Sequence, residues 1–285
     1  MNRTNPKRFS KDQIPLYLYL IPLAVFMAAP IVFIVFHAFK PMDELFAHPP
    51  RFLVSRPTLD NFTNLFRMAA GATVPLSRYV FNSVVVTFTA VMGTVMFSSM
   101  AAFALSKMRW KYAGVLFTIN NLALMFVPTA VTIPRYMTIT GIGIDNTYFA
   151  HILPLMATPV VLFLVKQNMD NQVPNELIEA AHVDGATPWG IYRGVVLPMI
   201  RPAIATGAIL SFQLVWNNLE TSQLFTTSES VRTLAFYMST LAATGGIAGQ
   251  GMAAAAGLFM FVPNLLLFIV MQSRVMNTMA HSGLK

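Results

Sequence analysis

Cysteine is absent from the 285 residues, which excludes a disulfide framework and a thiolate metal site and leaves redox compartment unreadable from cysteine usage. Charge is scarce too. Asp, Glu, Lys and Arg make up 11% of the chain and apolar residues 55%, where an ordinary soluble domain carries about 25% charged residues. An ordinary soluble domain is therefore excluded. No GxxxxGKS or GxxxxGKT phosphate loop occurs, so the chain has no Walker-type nucleotide site of its own. His37, His151 and His182 are scattered rather than spaced as ligands, and no metal site is expected.

What is there is a set of long apolar runs. Six intervals lack Asp, Glu, Lys and Arg: 13–39, 79–106, 112–134, 146–165, 202–219 and 233–273. Five of them run 18 to 28 residues, and about 20 apolar residues of helix cross the hydrocarbon core. Within the sixth, the glycines of Thr244 to Gly251 disfavour a continuous helix, so the crossing is expected over 253–274. The preceding Leu234 to Ala243 reads as a short helix or loop at the outer surface, or as a re-entrant segment. The pattern predicts an all-α integral membrane protein with six transmembrane helices, near 15–39, 80–105, 113–137, 147–167, 198–219 and 253–274. A tail at 1–12 precedes this single domain, 13–285, which includes a loop at 168–197.

The formal charge of +8 does not read as nucleic-acid binding, because the basic residues lie between apolar runs rather than on one soluble face. They read as topology. Six crossings put the tail 1–12, the loops near 105–112 and 166–201 and the C-terminal tail on one side, with twelve basic against five acidic residues, and the other side carries seven against six. The positive-inside rule makes both termini cytoplasmic. The basic start (Arg3, Lys7, Arg8, Lys11) resembles a secretory n-region, but the apolar run behind it far exceeds a signal's roughly 7–15 residues, so it is expected to remain as an anchor. Asn61-Phe62-Thr63 matches a glycosylation sequon, a pattern too short to carry weight.

The longest inside segment differs from the rest of the chain. Pro174 suits a first helical turn, Glu176 and Glu179 favour its positive end, and Asp184-Gly185 offers a stop. A helix near 174–183 follows. On it Leu177, Ala180, Ala181 and Asp184 recur at i, i+3, i+4 and i+7, one face centred on two alanines that lets another surface come close. Ile191 to Val196 then leads to Leu197-Pro198, and Pro202 opens the next span at little cost.

This segment resembles the EAA loop of bacterial ABC importer permeases: Glu-Ala-Ala, three residues, Gly, nine residues, Ile, one residue, Leu-Pro. Here Glu179-Ala180-Ala181 is followed at those spacings by Gly185, Val195 in place of Ile, and Leu197-Pro198. Asn82-Ser83, Ala101 to Ala104 before the basic turn Lys107 to Lys111, and the tail Met279 to Lys285 look like the carbohydrate-uptake branch, and the likeness runs to the smaller permeases of maltose-type importers. The resemblance implies a type I permease fold in a bacterial inner membrane. It implies a coupling helix seated in a cleft of a separate ATPase, with Glu179 pairing a basic residue there and Gly185 allowing the turn beneath. It further implies a second homologous permease in a heterodimer, two ATPase subunits that bind ATP and Mg, an extracytoplasmic solute-binding protein meeting loops 40–78 and 220–251, and a C-terminal tail reaching between the ATPases.

Polar groups inside spans are candidates for a translocation path, since unpaired amides are costly in lipid and should face the bundle interior. Asn120, Asn121, Gln213, Asn217, Asn218 and Asn264 qualify, and Trp216 offers a sugar a stacking face. Helix-to-helix hydrogen bonding, or interfacial anchoring for Trp216, accounts for the same residues. Pro128, Pro134, Pro154 and Pro159 interrupt the third and fourth spans as hinges or static bends. An ion-coupled transporter ordinarily holds an ionisable residue in the membrane, and these intervals hold none. No Ser-His, Asp or His-metal cluster suggests an intramembrane enzyme. The expected function is a non-enzymatic permease for a sugar or oligosaccharide, neutral by default, with other solute classes as the alternative.

Overall fold

The computed structural model describes residues 13–49, 51–71, 73–108, 110–244 and 249–282, the side chains of 244 and 272–282 excepted. The basic tail 1–12, Arg109, part of the glycine stretch (245–248) and the end of the C-terminal tail lie outside the described residues. The elements are α1 (Ile14–Ala38), α2 (Met42–Leu45), α3 (Asp60–Ala70), α4 (Leu76–Lys107), α5 (Ala113–Ala123), α6 (Thr132–Gly141), α7 (Tyr148–Met156), α8 (Pro159–Gln172), α9 (Asn175–Val183), α10 (Pro188–Ile191), α11 (Leu197–Met199), α12 (Arg201–Trp216), α13 (Glu220–Phe225), α14 (Leu234–Thr244) and α15 (Gln250–Ser282). Short 3-10 turns at Pro128–Val131 and Glu229–Val231 and a π turn at Tyr192–Val196 complete the set. Among the described residues there is no strand.

Four stretches are long and apolar enough to cross a membrane: α1, α4, Tyr148–Gln172 (α7 with α8), and Gln250–Met271 of α15. Two pairs join them if each bent pair is one span. Ala113–Ala123 with Pro128–Gly141 bends by 107°, and Pro188–Met199 with Arg201–Trp216 by 80°.

Residues 1–71 and 238–259 make one compact unit and 72–237 and 260–285 the other. In the first, α1 is apolar on every side and its membrane-length window is uncovered by the chain, as a helix facing lipid should be. Below it a polar knot holds α3. Buried Asn61 donates its amide to the carbonyls of Ala38 and Lys40 at 2.9 and 2.8 Å, and a Cβ on Gly251 would run into the Asn61 side chain. The sequon asparagine is therefore a packed structural residue rather than an acceptor open to modification.

The second unit is built around α4, against which α7, α8 and α12 pack. Its buried stripe of Ala90, Gly93, Thr94, Ser98 and Ala102 is small, which lets helices approach where lipid supplies no hydrophobic drive between them. A Cβ on Gly93 would meet Met156, and one on Gly207 of α12 would lie 2.9 Å from Val161 of α8.

The break between α7 and α8, bracketed by Pro154 and Pro159, exposes carbonyls that neighbours satisfy. Thr94 Oγ1 donates to Met156 O at 3.2 Å, Thr158 Oγ1 to Leu155 O at 2.9 Å, and Asn120 Nδ2 to Pro159 O at 3.2 Å. Each bond removes an unpaired polar group that would cost several kcal/mol in hydrocarbon.

Candidate functional site

The short helix α9 starts after Pro174, which is extended at φ −61°, ψ 143°, and carries Glu176 in its first turn. It ends in two backbone bonds, Ala186 N to Ala181 O at 2.9 Å and Gly185 N to His182 O at 3.0 Å, the six-to-one and five-to-two pair of a Schellman motif. The motif needs a left-handed residue, and Gly185 has φ +79°. A Cβ there would touch nothing within 4 Å, so glycine serves the backbone angle rather than space.

The inward side of α9 is Ile178, buried, with Ala181 half-buried against a core of Phe103, Val165, Met169, Ile191 and Tyr192. Leu177, Glu179, Ala180 and Asp184 are exposed, as are Val183 at 86% and Trp189. The four-residue face read from spacing is thus divided: Ala181 turns to the core, while Leu177, Ala180 and Asp184 share the open face with Val183. A helical wheel gives relative angles but not which neighbour covers which side.

The seat beneath α9 is tied to two long helices. Lys107 at the end of α4 donates to Val173 O at 2.6 Å and Asn175 Oδ1 at 3.0 Å. Ser106 bonds the Asp170 carboxylate, which also pairs with Lys166 at 2.7 Å, and Lys166 lies over the Phe117 ring. Beyond α9, Thr187 Oγ1 accepts from Gly190 N at 3.2 Å and caps α10. The Tyr192 hydroxyl lies 2.7 Å from Ser99 Oγ. Val195 and Leu197 pack on the same core, and Pro198 is exposed. Between α4 and α9 lies a cavity of about 510 Å³ lined by Lys107, Asn175, Ile178, Glu179, His182 and others.

The span amides lie apart. Asn120 holds the α7–α8 break, and Asn121 Oδ1 is buried with no hydrogen bond among the described residues. Trp216 is buried, donates Nε1–H to Met260 O at 3.2 Å and stacks on Phe212. Asn217 donates to Gln213 O at 2.9 Å and faces the Asn264 amide at 3.2 Å, and Gln213 is exposed. Asn218 lines a cavity of about 820 Å³ that also includes Pro154, Pro159, Arg135 and Glu220. Its Oδ1 accepts from Thr221 N at 3.0 Å, and buried His151 holds Thr221 Oγ1 at 2.8 Å and donates to Val231 O at 3.0 Å.

Arg135 and Glu220 were missed by the sequence reading, because each lies immediately after a charge-free interval, 112–134 and 202–219, and only polar groups within those intervals drew notice. The available signal was that, on the six crossings expected from the sequence, both edges fall on the same side. Among the described residues no group of three His, Cys, Asp or Glu side chains fits a metal.

A model of proteins described as the binding-protein-dependent transport system inner membrane component matches residues 94–273. The chain is 31% identical to "Probable ABC transporter permease protein YurM" of Bacillus subtilis (strain 168), over 95% of this chain and 86% of that one. It is 27% identical to the arabinooligosaccharides transport system permease protein AraQ of the same organism, over 100% of both. Among solved structures, a bacterial ABC transporter involved in the import of the acidic polysaccharide alginate aligns with a TM-score of 0.76 at 18% identity, covering 93% of this chain and 98% of that one.

Proposed function

The chain belongs to the family of binding-protein-dependent transport system inner membrane components, and from that membership we propose how it works as the permease subunit of an ATP-binding-cassette importer. It crosses the bacterial inner membrane six times with both termini in the cytoplasm, pairs with a second, homologous permease, and receives a sugar or oligosaccharide from an extracytoplasmic binding protein. Two separate ATPase subunits bind ATP and Mg. They engage the open face of α9, where Glu179, Ala180 and Asp184 are exposed beside Leu177 and Val183. Closure of the ATPases displaces α9 with its seat, and the central cavity changes the side it faces.

The observation that carries this reading is the spaced pattern Glu179-Ala180-Ala181, Gly185, Val195, Leu197-Pro198 on and after a short helix that leaves apolar Leu177 and Val183 exposed. A helix of nine residues is too short to be stable by propensity, so its exposed apolar side chains call for a partner surface. Sugar as the cargo rests on relatives such as the arabinooligosaccharide permease.

The test is co-expression of the chain with the permease, ATPase and binding-protein genes that neighbour its own, followed by purification through a tag on this subunit. The other permease and the ATPase should leave the membrane with it. ATP hydrolysis in proteoliposomes should rise when sugar-loaded binding protein is added. Isolation as a lone subunit that transports without ATP would overturn the proposal.

A further inference from the structure

Among the described residues, the 820 Å³ cavity lined by Asn218 has two charged side chains, Arg135 from α6 and Glu220 at the start of α13. Arg135 Nη1 lies 3.0 Å from Glu220 Oε2, the side chains are 27% and 31% exposed, and Thr132 Oγ1 donates to Glu220 Oε1 at 3.3 Å. Most of the remaining lining is apolar, including Phe126, Leu153 and Leu214. The cavity therefore holds charge-strength donors and acceptors while its net charge is zero. A guanidinium has five N–H donors, and the ion pair engages one of its nitrogens, which leaves donors for a ligand's hydroxyls. A sugar ring has the matching shape, with hydroxyls at its edge and C–H groups on its faces, and ligand sites commonly combine an apolar lining with a few fixed polar groups.

Charge decides which saccharide fits. A carboxylate entering this space loses hydration beside Glu220 and meets no net positive charge in return. A neutral ring carries no such penalty. Family membership is silent here, because the similar proteins include both an arabinooligosaccharide permease and an importer of acidic alginate. We propose that the Arg135–Glu220 ion pair is a charge filter, making this cavity a subsite for a neutral saccharide, with Glu220 preventing Arg135 from recruiting an acidic one. The inference rests on the importer reading and specifies its cargo.

The absence of cysteine supplies the assay. In the whole importer, with its other subunits freed of cysteine, Leu214→Cys gives this chain one thiol on the cavity wall. It is labelled with anionic sulfonatoethyl and cationic trimethylammonioethyl methanethiosulfonate. Relative to the L214C parent, Glu220→Gln should raise the anionic-to-cationic rate ratio about tenfold and Arg135→Gln should lower it comparably, as one unpaired charge nearby requires. The swap R135E/E220R should return it to the parental value, which separates charge from damage to the fold.

Labelling by a neutral reagent is then measured with arabinotriose or trigalacturonate present. Arabinotriose should slow it at least threefold in the parent and trigalacturonate should not, whereas trigalacturonate should protect the E220Q variant. A rate ratio unmoved by E220Q, or trigalacturonate protection in the parent, overturns the filter. Protection by neither sugar in any variant overturns the subsite while leaving the importer reading intact. If sugar-loaded binding protein fails to stimulate ATP hydrolysis in the same assembly, the importer reading falls and the subsite with it.

Discussion

Replacing Gly185 tests whether the end of α9 is held by backbone angle or by room for a partner. At φ +79° an L-residue other than Asn or Asp costs roughly 1–2 kcal/mol. If the backbone instead relaxes, it gives up the bonds Ala186 N to Ala181 O and Gly185 N to His182 O, each worth about 0.5–1.5 kcal/mol. Either route gives about 1–3 kcal/mol, a factor of roughly 5–150 in the population with α9 correctly closed. Within the chain a Cβ meets nothing, so volume adds no cost of its own.

The series Gly185→Asn, Gly185→Ala and Gly185→Val should therefore lose binding-protein-stimulated ATP hydrolysis in the order of their tolerance for left-handed backbone. Asn should be mildest, Ala intermediate and Val most severe, with unchanged insertion into the membrane. The measurement is the stimulated rate in proteoliposomes, divided by the amount of ATPase that co-purifies. If Ala retains more activity than Asn, volume against the partner governs the position and the backbone argument fails. Parental rates throughout would refute both.

Three further outcomes follow from the packing. Gly207→Ala should lower the thermal midpoint in detergent by overpacking worth about 1–3 kcal/mol, because its Cβ would sit 2.9 Å from Val161, and adding Val161→Ala should restore much of it; an unchanged midpoint in the single variant would refute the close approach. Tyr192→Phe removes the 2.7 Å bond to Ser99 while keeping the ring beside Phe103 and Trp189, and should cost about 1 kcal/mol in guanidinium unfolding. Asn120→Leu leaves Pro159 O without its donor and should destabilise by about 1–3 kcal/mol with KM for uptake unchanged; a shifted KM at full stability would mean that Asn120 contacts substrate.

The long elements were legible because membrane thickness acts on composition directly. The charge-free run 13–39 yields α1 over Ile14–Ala38, and 79–106 lies within α4, which extends past Tyr79 to Leu76 and past Ser106 to Lys107. Gly185 was legible as a stop because few residues tolerate φ > 0. The severity of the bends was not. Pro128, Pro154 and Pro159 flag interrupted helices, but 107° between Ala113–Ala123 and Pro128–Gly141 depends on which neighbours take up the freed carbonyls, and those are remote in sequence. Arg135 and Glu220 are 85 residues apart, and their pairing exists only after α6 and α13 meet. Asn61 shows the converse, a sequence match that burial and two hydrogen bonds remove.

In the proposed cycle the cost of deformation is uneven along the coupling segment. From Val161 through α9 to Ile200 the chain shares one buried core and is tied by Lys107, Ser106 and Asp170, so α9 and its seat move together. The ends of this block are weaker. On one side Ala157 and Thr158 are non-helical between α7 and α8. On the other, the chain bends by 80° between Pro188–Met199 and Arg201–Trp216, and Pro202 has no N–H to give the carbonyl four residues earlier. Bending at these two places interrupts few helix backbone bonds, whereas bending inside the block exposes Ile178, Met169 and Ile191. A push on α9 is thus delivered to the α7–α8 break, whose Ala157 to Pro159 line the cavity holding Arg135, Asn218 and Glu220, and to α12, which reaches that cavity through Leu214. The cavity can change shape while the surface that receives the push keeps its own.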